Sequence, residues 1–374
     1  MTGNKPILVF VLLVVLALAV VSVGWIVAYQ GHVVSEGSKS VKVGLIGIFS
    51  GEYASYGVPM KNAIELYVDD VNAHGGIDGK QIELIVEDNA GDSAVAASAI
   101  NKLIHVDNVN YILSAQGSGL ASVVAPIAQD NGRIMMITLG SAPGLAKTGD
   151  YIFRSVPSDA YQAVKMNDFL VNDLGARKVA VLYTNDAYGE GIKNKINDNA
   201  NVRVVANEMF EQNAADFRTQ LLKIKESGAD ALVIVAHTEY ASIIKQITEL
   251  DLNIPIVASE TFKDEGILKD VGTSGEGVYV TFMKESTDHF NFAEKYAARF
   301  GEEPSAFSMY AYDGAVALVE AIDAAGDDVE GVRLELYKVK FEGASGSIGF
   351  DSDGDRTGTE YSIYEVRGGE FVLV

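Results

Sequence analysis

The chain has 374 residues, no cysteine and a net charge of −22, with 51 acidic against 29 basic side chains. The length suits one large or two medium domains, and the lack of cysteine excludes disulfides, a cysteine nucleophile, thiolate metal ligands and a lipid-modified cysteine. The negative charge argues against nucleic acid as a partner, because phosphate groups would be repelled.

Residues 7–28 form an apolar run with no charged side chain. This run is long enough to span a bilayer, which takes about 20 residues, whereas the core of a secretory signal usually has about 7–15. Lys5 on the short N-terminal side predicts a membrane anchor with the rest of the chain outside. A long cleaved signal is the alternative, and both place the folded body outside the cytoplasm, either anchored or secreted.

From Val41 onward, runs of strand length alternate with stretches whose apolar residues recur every three or four positions, which is typical of strands alternating with amphipathic helices. The first half predicts strand 41–48, helix 58–72, strand 81–87, helix 94–105, strand 111–114, helix 121–130 and strand 133–138. The second half predicts helix 160–174, strand 178–183, helix 190–199, strand 202–208, helix 217–227, strand 231–236, helix 240–250, and strands 255–258 and 277–282. Such alternation favours parallel sheets covered on both faces.

Because the pattern occurs twice, we expect an α/β fold of two doubly wound parallel-sheet lobes, with a hinge and an interlobe cleft. Residues 153–159 contain a proline and polar side chains, and we interpret them as the crossover between the lobes. We assign residues 1–40 to the N-terminal anchor or signal and its spacer, residues 41–157 plus 287–335 to the first lobe, and residues 158–286 plus 336–374 to the second. Ligands of open α/β sheets bind beyond the carboxyl ends of the strands, so the cleft is the predicted binding site.

Motifs of enzymes are scarce in this sequence. It lacks H-E-x-x-H, has no G-x-S-x-G around Ser118 or Ser347, and has only an incomplete dinucleotide fingerprint at residues 117–122. Residues 351–355 are rich in aspartate but lack EF-hand spacing, and a tight hairpin between strands 347–350 and 361–366 explains them better. We therefore expect no catalytic residue, no metal and no cofactor, with a hydrolase or dehydrogenase as a remote alternative.

Short motifs with a recognisable order and spacing occur along residues 41–374. They include Gly47-x-x-Ser50-Gly51, Tyr56-Gly57, Glu87-Asp88-Asn89, Ala125-Pro126-Ile127-Ala128, Phe153-Arg154, Tyr188-Gly189-x-Gly191 and Tyr312-Asp313-Gly314. Together they resemble the type I periplasmic solute-binding proteins of the branched-chain amino acid group, which serve ABC importers. The resemblance implies a monomer that binds a small amino acid and delivers it to ABC permease subunits.

The same resemblance implies which residues hold the ligand. It places the hydroxyl donors to the ligand carboxylate at Ser118 and Ser141, the backbone acceptor at Leu139, the acid that binds the amino group at Glu260, and the aromatic lid at Tyr56 and Tyr188. The chemistry is consistent, because hydroxyls and N–H groups at a helix N-terminus favour an anion and a carboxylate pairs with an ammonium.

The chain departs from the family pattern at two positions. Gly119 stands where a second serine is usual, and Ala236, followed by His237, stands where an aromatic residue is usual. Loss of the aromatic ring would enlarge the side-chain pocket and leaves branched-chain selectivity open. We interpret His237 as a surface or capping histidine and Arg154 as a hinge or interlobe ion-pair residue. A sensor acting through a separate signalling subunit, and a binder of amide- or urea-type solutes, are the alternative functions.

Overall fold

The computed structural model describes residues 40–284 and 287–374. The predicted anchor or signal at residues 7–28 lies outside these residues and stays a prediction. Within the described ranges, no helix combines the length and the apolar composition that crossing a bilayer requires.

Two sheets with helices on both faces account for most of the described chain. The strands are β1 (Val41–Gly47), β2 (Ile82–Asp88), β3 (Tyr111–Ala115), β4 (Ile134–Ile137), β5 (Ile152–Arg154), β6 (Lys178–Thr184), β7 (Arg203–Phe210), β8 (Ala231–Val235), β9 (Ile256–Ala258), β10 (Tyr279–Met283), β11 (Lys340–Gly343), β12 (Gly346–Gly349), β13 (Tyr361–Arg367) and β14 (Glu370–Leu373). The helices are α1 (Ala54–Ala73), α2 (Ser93–His105), α3 (Ser118–Asp130), α4 (Asp159–Asp168), α5 (Ala187–Asn197), α6 (Arg218–Glu226), α7 (Tyr240–Glu249), α8 (Glu265–Val271), α9 (Phe292–Phe300), α10 (Ala306–Ala325) and α11 (Val329–Leu336). Short helical turns occupy Ala146–Thr148, Phe169–Asp173, Glu260–Phe262 and Gly272–Gly275.

The first lobe is built on a five-stranded sheet in the order β2-β1-β3-β4-β5, and all of its neighbouring pairs are parallel. Side chains alternate between the faces of a strand, so Leu45 packs in one core with residues of α1 and α10, whereas Ile46 packs in another with α2 and α3. Burial on both faces explains why β1 is apolar along nearly its whole length.

The second lobe is built on a seven-stranded sheet in the order β14-β13-β10-β9-β8-β6-β7. Strands β6 to β10 are parallel, while β13 and β14 join the edge antiparallel. Val233 of β8 faces a core with α4 and α5, and Ile234 faces a core with α6 and α7. The predicted α/β fold of two lobes built on parallel sheets is therefore confirmed, with an antiparallel edge that the sequence did not indicate.

One local prediction is wrong. Strands 347–350 and 361–366 do not form a hairpin, because β12 pairs with β11 whereas β13 pairs with β10 and β14 in the other lobe. The segment predicted as a crossover begins with the last two residues of the edge strand β5 and leads into α4, which packs in a core of the second lobe. The turn at residues 351–355 docks on that edge, since the N–H of Arg154 donates to the carbonyl of Gly354 at 2.9 Å. Gly354 has φ of 80°, and a Cβ there would lie 2.3 Å from the Ile152 carbonyl oxygen, so only glycine fits.

The lobe boundaries given above stay a proposal. The side chains of Ala344, Ile348 and Phe350 pack in the same core as α1 and α10 of the first lobe. This packing indicates that the chain crosses to the second lobe for the last time after Phe350 and not at residue 336.

Candidate functional site

A cavity of about 300 Å³ lies between the two lobes. Its wall includes every residue that the sequence predicted for the site, namely Tyr56, Ser118, Leu139, Ser141, Tyr188 and Glu260. The structure thus brings these residues together, while their contacts with a ligand stay a prediction.

The cavity collects residues that follow the carboxyl ends of parallel strands. In the first lobe, Ser118 follows β3 and Ser141 follows β4; in the second, Asp186, His237 and Glu260 follow β6, β8 and β9. The carboxyl edges of both sheets therefore face one cavity, as expected for ligand sites of open α/β sheets.

Ser118 is the first residue of α3 and is almost completely buried. Its Oγ accepts hydrogen bonds from the backbone N–H groups of Ser141 and Ala142, both at 3.1 Å. These two bonds occupy the acceptor sites of the hydroxyl, so its proton is left to donate. The N–H groups of the first turn of α3 add positive potential at the same place, which favours an anion.

Hydrogen bonds fix both the N–H and the carbonyl of Ser141. Its N–H donates to Ser118, and its carbonyl accepts the N–H of Asp159 at 2.9 Å. The next carbonyl, that of Ala142, accepts Nη1 of Arg154 at 2.7 Å. Arg154 forms the expected ion pair with Asp355, with Nε and Oδ1 2.8 Å apart. The loop that carries the predicted carboxylate donors is therefore fixed to a buried guanidinium and does not depend on the ligand for its shape.

Glu260 begins a short helical turn on the opposite wall, and its carboxylate accepts Nε2 of Gln162. Burial raises the pKa of Glu260 above its usual range. A second acid, Asp159, is completely buried nearby, and only the hydroxyl of Ser141 and the charge of Arg154 oppose the effect of this burial. Burial, followed by the charge of Glu260, raises the pKa of Asp159 well above normal. Two acids that form no ion pair within the described residues make this wall suited to a cation.

Aromatic rings of both lobes border the cavity. The ring of Tyr56 meets the ring of Phe307 edge to face, with centroids 5.5 Å apart. The buried ring of Tyr188 stacks on His237 at 5.1 Å, and its hydroxyl lies 3.4 Å from Oγ1 of Thr261. The two predicted lid residues therefore lie on opposite lobes of the same cavity.

The interpretation of His237 as a surface or capping histidine is wrong. Its ring lines the cavity, and Nε2 lies 2.6 Å from Oδ2 of Asp186. Burial opposes protonation of His237, but the hydrogen bond and charge of Asp186 outweigh it and raise the pKa of the histidine. Burial likewise opposes ionisation of Asp186, but the bonds from His237, Gly189 and Gln212 lower its pKa. Its position directly after β8 was the signal that marks His237 as a cavity residue.

Comparison with known proteins decides the family. A family model described as periplasmic binding protein matches residues 40–370. The chain belongs to the periplasmic binding protein family. This periplasmic binding protein is 27% identical over 340 residues to Leu/Ile/Val-binding protein homolog 2 of Brucella abortus, covering 88% of this chain and 91% of the relative. It is 29% identical over 370 residues to an amino acid binding protein of Pseudomonas aeruginosa, covering 94% and 95%.

Solved structures agree with this assignment. The branched-chain amino acid transporter substrate binding protein LivJ of Streptococcus pneumoniae, in complex with isoleucine, superposes with a TM-score of 0.79 at 28% identity, covering 90% of this chain and 99% of LivJ. A solute binding protein of R. palustris in complex with benzoate superposes with a TM-score of 0.78 at 20% identity, covering 90% and 96%. The resemblance to the branched-chain amino acid group is thus confirmed, and the benzoate complex shares the fold.

Proposed function

We propose that this protein is the extracytoplasmic solute-binding component of an ABC importer and that it binds a small α-amino acid between its lobes. One observation carries the proposal: a hydroxyl fixed as a donor and an acid that forms no ion pair within the described residues stand on opposite walls of one small cavity. An α-amino acid carries the two complementary charges on a single carbon.

The carboxylate end of the ligand would lie at α3. Ser118 has its proton to donate, and the first turn of the helix offers unbonded N–H groups. Donors that are already oriented cost little reorganisation when the anion arrives, so they favour binding more than mobile side chains would. Ser141 completes this end of the proposed site, whereas the backbone carbonyl of Leu139 is an acceptor and would serve the ammonium of the ligand.

The ammonium end would lie at Glu260. In the absence of a ligand, burial favours the protonated form of this acid. An ammonium next to it would favour the ionised form through a charge-assisted hydrogen bond. Asp159, whose pKa burial also raises, lies behind the backbone of Ser141 and is electrostatically coupled to Glu260.

Membership of the family also supports the parts of the proposal that concern closure of the lobes, the permease and the location of the protein. Closing the lobes shifts an open–closed equilibrium by differential affinity, and no bond of the ligand is broken. ABC permease subunits would receive the ligand from the closed form, with the protein acting as a monomer. Residues 7–28 would anchor it at the outer face of the membrane or direct its secretion.

Isothermal titration calorimetry with a panel of α-amino acids tests the proposal. We expect at least one amino acid to bind, and benzoate, which has a carboxylate but no ammonium, to bind far more weakly. Glu260→Gln keeps an acceptor for Gln162 but removes the charge, and it should weaken amino acid binding at least about 100-fold. Glu294→Gln, at an exposed position of α9, is the matched control and should bind as wild type does. Failure of every amino acid to bind, or normal affinity in Glu260→Gln, would contradict the proposal.

A further inference from the structure

One end of the cavity is strongly polar. We define the polar end as the side chains of Tyr53, Asp186, Gln212 and His237, all of which line the cavity. The proposed carboxylate and ammonium sites use Ser118, Ser141 and Glu260. The side chain of an amino acid held there must therefore extend toward the remaining wall, which includes the polar end.

Asp186 is the centre of the polar end and is already saturated. Its Oδ1 accepts the N–H of Gly189 at 2.9 Å, and its Oδ2 accepts Nε2 of Gln212 and contacts Nε2 of His237, both at 2.6 Å. With these donors in place, Asp186 needs no cation from a ligand.

The groups that remain to pair with a ligand include a donor and an acceptor. Since Nε2 of His237 is committed to Asp186, Nδ1 is the ring nitrogen left for a ligand, and it donates when the ring is protonated, a form that the bond to Asp186 favours. The amide nitrogen of Gln212 gives one N–H to Asp186, so its amide oxygen is left to accept and its second N–H is left to donate. The stacked ring of Tyr188 and the backbone bond from His237 to Glu239 at 2.9 Å hold the histidine in this orientation.

This donor and acceptor discriminate between classes of side chain. A branched alkyl group would cover them without replacing their bonds to water, and burying unpaired polar groups is costly. A carboxylate would face Asp186 and Glu239, and a cationic group would face the histidine. A carboxamide has a carbonyl for the histidine N–H and an NH₂ for the Gln212 oxygen, so it matches both.

We propose that the ligand is an α-amino acid with a neutral hydrogen-bonding side chain, a carboxamide above all, and that His237 and Gln212 determine this selectivity. The inference rests on the proposed function, because it takes the carboxylate and ammonium sites as given. The proposed ligand class differs from the branched-chain amino acids for which the relatives are named.

Calorimetry on the full chain with glutamine, asparagine, glutamate, lysine, leucine and isoleucine tests the selectivity. We expect glutamine or asparagine to bind at least about tenfold more tightly than isoleucine, as for sites built to hydrogen-bond a substrate group. His237→Leu should weaken carboxamide binding by about tenfold and leave isoleucine binding unchanged or tighter. Gln212→Leu, at an exposed position, should act in the same direction and does not disturb the packing of Tyr188.

The control is His105→Leu, the same substitution at an exposed histidine of α2, which should leave every affinity unchanged. Isoleucine, leucine, glutamate or lysine binding as tightly as the carboxamides would overturn the selectivity alone. So would an equal loss for all ligands in His237→Leu and Gln212→Leu. Absence of binding by every amino acid would instead overturn the proposed function, and the selectivity with it.

Discussion

The hydroxyl of Tyr53 donates a hydrogen bond to Oδ1 of Asn213 at 2.9 Å, and the two residues belong to opposite lobes. Burial raises the pKa of Tyr53 to about 12, so the hydroxyl keeps its proton at physiological pH. Asn213 is fixed in turn, because its N–H donates to Oε1 of Glu239 at 3.1 Å and its backbone has φ of 64°. The bond therefore joins the lobes at the margin of the cavity.

Tyr53→Phe removes this bond and leaves the ring in place. A single neutral hydrogen bond contributes about 0.5–1.5 kcal/mol, so we expect ligand dissociation to accelerate by up to about tenfold. Association should change less, because the bond forms only after the lobes approach. Stopped-flow measurement of both rate constants checks this, and an unchanged dissociation rate would show that Tyr53 does not hold the lobes together.

Ser118→Ala should impair both folding and binding. The substitution leaves the N–H groups of Ser141 and Ala142 without their acceptor, which we expect to lower the free energy of unfolding by about 1–3 kcal/mol. It also removes the proposed donor to the ligand carboxylate, so affinity should fall at least about tenfold. Denaturant unfolding and calorimetry measure the two effects.

The matched control is Ser98→Ala, where an exposed serine of α2 bonds only the carbonyl of Ala94 within its own helix. Ser98→Ala should change neither the free energy of unfolding nor the ligand affinity appreciably. Loss of stability without loss of affinity in Ser118→Ala would restrict the serine to a structural role.

Ligand binding should release protons. Burial raises the pKa of Glu260 and of Asp159, so both acids are protonated to a higher pH than usual in the free protein. An ammonium beside Glu260 stabilises the ionised form and lowers that pKa, which expels the proton. Affinity should therefore fall as the pH is lowered through the raised pKa of Glu260. Calorimetry in buffers with different ionisation enthalpies measures the protons directly, and identical heats in all buffers would contradict the prediction.

The ion pair of His237 and Asp186 should make stability depend on pH. Because folding raises the pKa of His237, the ion pair stabilises the folded protein fully below the ordinary histidine pKa of about 6.5. This stabilisation is lost as the pH rises through the folded-state pKa. Asp186→Asn should lower the free energy of unfolding by about 1–3 kcal/mol near pH 6 and flatten this decline.

The control for Asp186→Asn is Asp328→Asn. Both aspartates cap a helix through a glycine N–H, at 2.9 Å in each case, but Asp328 caps α11 and has no histidine partner. Urea unfolding of both variants between pH 5 and pH 9 separates the ion pair from the cap. If the free energy of unfolding changed with pH in the same way in wild type and in Asp186→Asn, the ion pair would not be the cause of the pH dependence.

The local pattern of apolar and polar residues was sufficient to predict most of the fold. The apolar runs of β1 and β8 identify strands buried on both faces, and the repeated alternation identifies two parallel sheets. The edge strand β5 was missed because three residues are too short to show a period. The partner of β13 could not be inferred, since no short-range pattern states which sheet a strand joins.

The site was predictable in part because the family motifs and the strand ends coincide. Ser118, Ser141 and Glu260 follow strands and were found in this way. Asp186 and His237 also follow strands, but the contact between them depends on how β6 and β8 lie in the sheet, which the sequence does not state. The buried Asp159 was missed because an acid at the start of a helix is usually a solvated residue.

The chain passes between the lobes after β5, after β10 and after β12, so each lobe is assembled from separate stretches of sequence. The first lobe needs α10 for its core, and the sheet of the second lobe is incomplete until β13 and β14 are added. A ribosome that makes the chain from its N-terminus therefore releases no complete lobe until nearly the last residue has emerged. Contacts between distant residues also slow folding. The threading of the backbone itself thus postpones the completion of both lobes to the end of synthesis.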